Sequence, residues 1–414
     1  MRELSPAEFM YQLFDRVGNV NFVVTAGLEG PLDGPTLRAA LDAVQLRHPL
    51  LNACEEDGKF CFCKEPIPLI ESNDALTTVI EEEMARSFKG PPMRCTWLPG
   101  DPHSLVLTFH HSASDATSGM NVLADLLKAA SGNPLTTRPL PPSIEAILPS
   151  DVCGMKGLFK VLRAYLVMYW YRLALGRVRR IPIQIRVDWT EQIRRVFRRR
   201  LTLLMSQRLV EQARDNHTTV HAALTAAFLL AFSRSQDESM TLCPTSMLGL
   251  RKYLKENVDS DVGMFVSLVP TYHRVSPTTP LWDVAREIKQ RLQRSIQRGE
   301  ALAALSSLRM LVPLLSRLSN NRLYQRLNSL FPTTITISNL GRLQLDENYN
   351  EFILKKVNFA ISPFGDAAIA VAASTFAGCL TINMSFIEPL INRDFVEQLT
   401  DDALALLGLS STDN

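Results

Sequence analysis

Pro134, Pro139, Pro141 and Pro142 crowd into one short stretch of the chain. Prolines at that density exclude helix and inner strand alike, because each fixes φ and removes a backbone donor. They mark a connector near residues 131–150 of a 414-residue chain, with mixed helical and strand patterns on both sides. At about 150 residues per domain, the length alone asks for two or three units. The chain divides into an N-terminal subdomain over 1–150, a basic, apolar connector over 151–200 and a C-terminal subdomain over 201–414.

Local signals fill in both halves. Ser5 as N-cap and Pro6 at the first helical position open a helix to Phe14. Asn19 to Leu28 reads as a strand, and Thr36 to Arg47 as a helix stopped by His48-Pro49. Gly58 separates two short strands of a hairpin, and Thr77 to Phe88 is helical. Cys95–Leu98 and Ser104–Phe109 read as strands joined by the turn Pro99-Gly100-Asp101-Pro102, followed by a helix from Ser118 to Ala130. Beyond the connector, strands are expected at 196–205, 265–270, 332–337, 369–374 and 380–387. Helices are expected at 206–214, 219–233 with Thr219 as N-cap, 281–298 and 393–407. The layout is α/β (α+β), in two halves of similar size.

Lys and Arg number 44 against 42 Asp and Glu, so a chain built as a polycation for nucleic acid is excluded. The seven cysteines are odd in number and contain no CxxC pair, which points to free thiols in a reducing compartment rather than structural zinc. The start, Met1 to Pro6, has no apolar signal core, and Leu158 to Leu175 carries Lys160, Arg163 and Arg172 where a spanning helix would be apolar. A cytoplasmic protein is expected, monomeric and without a transmembrane segment.

Leu105-Val106-Leu107-Thr108-Phe109 delivers His110 and His111 to a strand end, with Asp115 four residues beyond. Neighbouring strand residues point to opposite faces, so one histidine should meet an open cleft while the other packs inside. Four readings compete. A metal site needs at least three converging ligands, which opposed histidines do not supply. A serine nucleophile would need an elbow such as GxSxG, and Ser112 and Ser114 do not sit on one. Two hydrogen-bonded structural histidines with Asp115 capping the next helix is the third. The fourth is general-base catalysis by one histidine, whose ordinary pKa near 6.5 suits proton removal at neutral pH.

His110-His111-Ser112-Ala113-Ser114-Asp115 resembles the HHxxxD motif of the CoA-dependent acyltransferase superfamily. That superfamily includes chloramphenicol acetyltransferase, condensation domains of nonribosomal peptide synthetases, wax ester synthases, plant BAHD enzymes and polyketide-associated acyltransferases. Leu32 to Leu41 with Arg47-His48-Pro49-Leu50-Leu51, Thr219 to Leu224, Pro244-Thr245-Ser246 with Arg251, and Ile337-Ser338-Asn339-Leu340-Gly341 resemble further stretches of it, in the family's order. The resemblance implies two chloramphenicol-acetyltransferase-like subdomains with an active-site channel between them. It implies that His111 is the general base, His110 its packing neighbour, and Asp115 an architectural carboxylate paired with Arg251. Ser338, with Asn339 second, is implied as the hydroxyl near the developing oxyanion. The implied reaction is ester formation from an acyl-CoA or acyl-carrier-protein thioester to an alcohol acceptor. The phosphopantetheinyl donor would be a co-substrate, with no metal and no permanently bound cofactor. An amide-forming stand-alone condensation protein and a silent acyl-carrier-binding scaffold are the alternatives. The sequence departs from many condensation-type motifs at Ala116, where glycine is usual, and it lacks the BAHD DFGWG run.

The remaining histidines are less informative. His221 reads as a core or interface residue, and His48, His103, His217 and His273 as solvent-facing. Residues 156–200 concentrate thirteen bases against Asp188 and Glu191, interleaved with Leu158, Phe159, Leu162, Tyr165, Leu166, Tyr169, Trp170 and Leu173 at helical spacing. Either this apolar face packs on the core, or it is a peripheral membrane helix suited to a lipid-like acceptor. Nucleic acid fits the greasy face poorly.

Overall fold

Along the strand Phe22–Glu29, both alternating sets of side chains are buried, so the strand must have cover on both faces. Phe22, Val24, Ala26 and Leu28 pack under the helices Gly34–Arg47 and Ala116–Ala130, while Val23 meets Ile80 and Met84 of the helix Leu76–Ala85. The computed structural model describes residues 2–56, 58–330 and 332–409. Among them run two six-stranded sheets. The first has the order Asn348–Tyr349, Phe352–Ile361, Phe22–Glu29, His103–Phe109, Met93–Leu98, Leu69–Glu71. The second has the order Val266–Pro270, Pro244–Gly249, Ile335–Arg342, Ile369–Phe376, Cys379–Glu388, Ile193–Arg200.

The second sheet is covered by Val220–Ser235, a helix apolar almost all round and buried from Ala222 to Ser233, with Leu281–Gln297 and Arg393–Leu406 against it. The two sheets meet side by side. Asn383 Nδ2 of the second donates to Asn358 Oδ1 at 2.8 Å and to the Phe359 carbonyl at 2.6 Å in the first. The mixed α/β class and the two sheet-rich halves match the sequence reading.

The structure corrects that reading in several places. Phe352–Ile361 lies in the C-terminal part of the chain yet pairs along Phe22–Glu29, so the first sheet is not built from residues 1–150 alone. Ile193–Arg200, assigned to the connector, is an edge strand of the second sheet. It stops at Arg200, because Thr202 caps a helix starting at Leu203 through Met205 N–H. The helices Glu300–Leu315 and Asn320–Leu330 have no counterpart in the local signals. His48 and His273 are buried, not solvent-facing. Asp125 holds His48 Nε2 at 2.8 Å, and Thr271 holds His273 Nε2 at 2.9 Å, so pairing removes the cost of taking them from water. Of the two readings left open for the apolar face from Leu158 to Leu173, the core-packed one does not hold: in the helix Gly154–Leu175 these side chains are exposed.

Candidate active site

The strand His103–Phe109 ends as His110 N–H donates to the Pro92 carbonyl, and the chain then turns through Ser112–Ser114. Asp115 stops the turn by capping the helix Ala116–Ala130, its Oδ1 accepting from Ser118 N–H at 2.7 Å. Ala116 is therefore the first helical residue, a right-handed conformation that alanine favours, and the position needs no glycine. Gly119 is the glycine this region does need. A Cβ there would stand 2.8 Å from Val24 Cγ2 and crowd Phe22 and Phe109, so only glycine lets the helix seat behind the motif.

The two histidines diverge as their strand register requires, but both are buried, so neither opens on solvent. His110 accepts from Ser112 N–H at Nδ1 (3.2 Å) and meets the Asp15 carboxylate at Nε2. His111 donates Nδ1–H to the Ser114 carbonyl at 3.1 Å. That bond fixes the tautomer and leaves the Nε2 lone pair free. Tyr11 stacks on the His111 ring at 4.5 Å, and the Phe22 ring lies tilted against it at 4.9 Å. Burial pushes the His111 imidazole down to about 4, although the Asp115 charge pulls the other way. The ring is consequently neutral at pH 7.

Asp115 Oδ2 accepts from Arg251 Nη1 and from Phe265 N–H, each at 3.0 Å. Arg251 Nη2 donates to Ser118 Oγ at 2.8 Å and to the Asp261 carbonyl at 3.0 Å, with its guanidinium over the Phe265 ring. The motif carboxylate is thus tied to a loop of the C-terminal half. Ser338 and Asn339 lie on Ile335–Arg342 in the second sheet, Ser338 buried. Asn339 Oδ1 accepts from Gly341 N–H at 2.8 Å where the strand register shifts. Among the described residues, neither side chain hydrogen-bonds to His111.

The helix Pro6–Asp15 supplies what the sequence reading missed: Tyr11 to His111 and Asp15 to His110. Its cap was legible, but nothing local tells which face meets the motif. Tyr11 also lines a cavity of about 330 Å³, so the residue stacked on the His111 imidazole is part of that cavity's wall. Its walls are mostly apolar, with Met10, Phe14, Val266, Val269 and Leu308 among them, and Arg291, Arg294 and Arg298 contribute cations.

His221 donates or accepts at Nε2 with Ser246 Oγ at 2.8 Å, and burial lowers it to about 4. Burial lowers His273 as well. With His111, three histidines then bind fewer protons folded than unfolded. Stability present above the unfolded pKa of about 6.5 is lost as pH falls toward the folded values. Melting temperature is expected to drop steadily from pH 7 to pH 4.5; a flat profile would show that these rings are not held neutral.

A family model described as "Phthiocerol/phthiodiolone dimycocerosyl transferase C-terminus" matches residues 190–385. No curated protein matches the chain by sequence. Among solved structures, trichothecene 15-O-acetyltransferase from Fusarium sporotrichioides is similar over 98% of this chain and 94% of its own, with TM-score 0.77 and 12% identity. Polyketide synthase associated protein 5 from Mycobacterium tuberculosis is similar over 98% of both chains, with TM-score 0.68 and 16% identity. The first condensation domain of the CDA synthetase matches over 100% and 98%, with TM-score 0.69 and 13% identity. With these likenesses along its whole length, the chain carries the two-lobed fold that the three solved structures share, and the family model covers much of its C-terminal half.

Proposed function

We propose that the chain transfers an acyl group from a CoA or carrier-protein thioester to a hydroxyl acceptor. The observation that carries this reading is His111. Its Nδ1–H is committed to the Ser114 carbonyl, its ring is neutral, and Nε2 is the atom left to take a proton. In the proposed step Nε2 removes the acceptor O–H proton as the oxygen attacks the thioester carbonyl. Ser338 is proposed to donate to the resulting oxyanion. Collapse expels the thiolate, which recovers the proton from the imidazolium, so neither a covalent enzyme intermediate nor a metal enters. The donor is a co-substrate, and CoA and a carrier protein end in the same pantetheine thiol. The acetyltransferase and dimycocerosyl transferase names of the matches support acyl transfer to an alcohol, the second to a lipid-like one.

The likeness to a condensation domain favours a second reading, amide formation by a stand-alone protein with the same base. Incubating the purified chain with acyl-CoA or acyl-carrier donors and a panel of alcohols and amines, read by mass spectrometry, separates the two. Ester products are expected. Amides alone would give the second reading, and no depletion of any thioester would leave a binding scaffold.

The pH profile offers an independent check. Proton removal needs the unprotonated ring, so kcat/KM should hold level down to about pH 5 and fall as pH drops through about 4. An acid limb centred near the ordinary histidine value, about 6.5, would point to a base other than buried His111. Ser338→Ala should lower kcat by roughly 10²-fold with KM little changed if the hydroxyl serves the oxyanion. Unchanged kcat would remove it from that role.

A further inference from the structure

The helix Gly154–Leu175 has two apolar faces and only one of them is covered. On the inner face Ala164, Val167 and Tyr171 line the cavity that reaches Tyr11. On the outer face Phe159, Leu162, Leu166, Trp170 and Leu173 stand more than half exposed, with Trp170 at 67%. At 3.6 residues per turn the exposed apolar positions from Met155 to Leu173 fall within an arc of about 140°. Exposed apolar stripes of this extent mark an interaction surface.

Charge identifies the occupant. No Asp or Glu occurs between Asp151 and Asp188, while eight Lys and Arg do. Lys156 and Arg163 border the stripe on one side, and Arg177 and Arg179 lie exposed just past the helix end at Gly176, with Arg163 3.7 Å from Glu300 and Arg179 2.8 Å from Glu238. The side chain of Arg172 lies outside the described residues. A second copy docking through this face about a twofold axis would set these cations against each other. An anionic bilayer neutralises them, accepts the leucines, and suits Trp and Tyr at the headgroup level. No helix among the described residues is long and apolar enough to cross a membrane, so the geometry is that of a helix lying in the interface.

We infer that Gly154–Leu175 docks the protein on an anionic lipid surface with its outer face, while its inner face walls the cavity beside His111, so that a long-chain amphiphilic substrate loads from the bilayer. The loading step rests on the proposed acyl transfer; the docking step does not.

The test is co-sedimentation of the full chain with vesicles of equal parts phosphatidylcholine and phosphatidylglycerol, and with pure phosphatidylcholine. Binding to the anionic vesicles alone is expected, weakening with salt. Leu166→Glu with Trp170→Glu should reduce it at least roughly tenfold, and loss of Lys156 or Arg163 by roughly fivefold each. The side chains of Leu166, Trp170 and Lys156 are exposed, so their variants should melt as wild type; Arg163 also lies 3.7 Å from Glu300, so a melt accompanies its variant. Negligible binding to both vesicles at low salt overturns the docking. So does a dimer in ultracentrifugation that the glutamate variant dissociates while no vesicle binds. For loading, the glutamate variant should lose turnover on a vesicle-borne acceptor and keep it on a water-soluble one; equal turnover on both overturns that step. Vesicle binding without any acyl transfer would sink the proposed function and leave the docking standing.

Discussion

His111→Ala is expected to lower acyl-transfer turnover by about 10²–10⁴-fold, the usual worth of a positioned general base. The loss should fall on kcat, because the ring makes its proton-transfer contribution only as the acceptor attacks. The fold should survive. The side chain spends a single hydrogen bond on the Ser114 carbonyl, and the turn is held separately by Asp115 and by His110. Circular dichroism and a melt close to wild type would confirm an intact protein. A variant that keeps more than about a tenth of wild-type turnover would remove His111 from the role. His110→Ala should behave in the opposite sense, losing stability through its Asp15 contact and changing chemistry only as the motif loosens.

The second large effect is expected at the Asp115–Arg251 pair, and it lies in stability. Every partner of the carboxylate is a donor: Ser118 N–H, Phe265 N–H and the guanidinium. An asparagine in its place would present an NH₂ group to at least one of them, so Asp115→Asn is not conservative here. Arg251→Ala leaves the carboxylate buried with two backbone donors and strips Ser118 Oγ and the Asp261 carbonyl of a partner. Breaking a buried pair by removing one member costs about 3–5 kcal/mol. Each single variant should therefore unfold at markedly lower denaturant and lose activity, with the double variant less destabilised than the sum. Strictly additive losses would show that the two residues do not interact.

The motif and the helix caps were legible because they are local. Ser5, Thr219 and the strand into His110 each announce themselves within a few residues, and the structure places them as read. What escaped was set by distance. Phe352–Ile361 alternates only in part, because its cover changes along its length, and its partner lies at the far end of the chain. Tyr11 and Asp15 reach the histidines only through the packing of a helix whose own pattern is ordinary. His48 sits beside a proline and looked exposed, yet Asp125 from a later helix buries it. The periodicity of Leu158–Leu173 showed that one face is apolar; periodicity carries no information about what meets that face.

The placement of Phe352–Ile361 also sets an order of events during synthesis. Until residues 353 to 361 leave the ribosome, one side of Phe22–Glu29 has no strand to bond. At about 5–20 residues per second that interval lasts roughly a quarter of a minute to a minute. A nascent chain then holds an unpaired, strongly apolar edge, the kind that recruits neighbouring chains on the same messenger. Fragments ending before residue 348 should accumulate as insoluble material, and full-length yield should rise with slower initiation or with extra chaperone, which keep nascent chains apart for that interval.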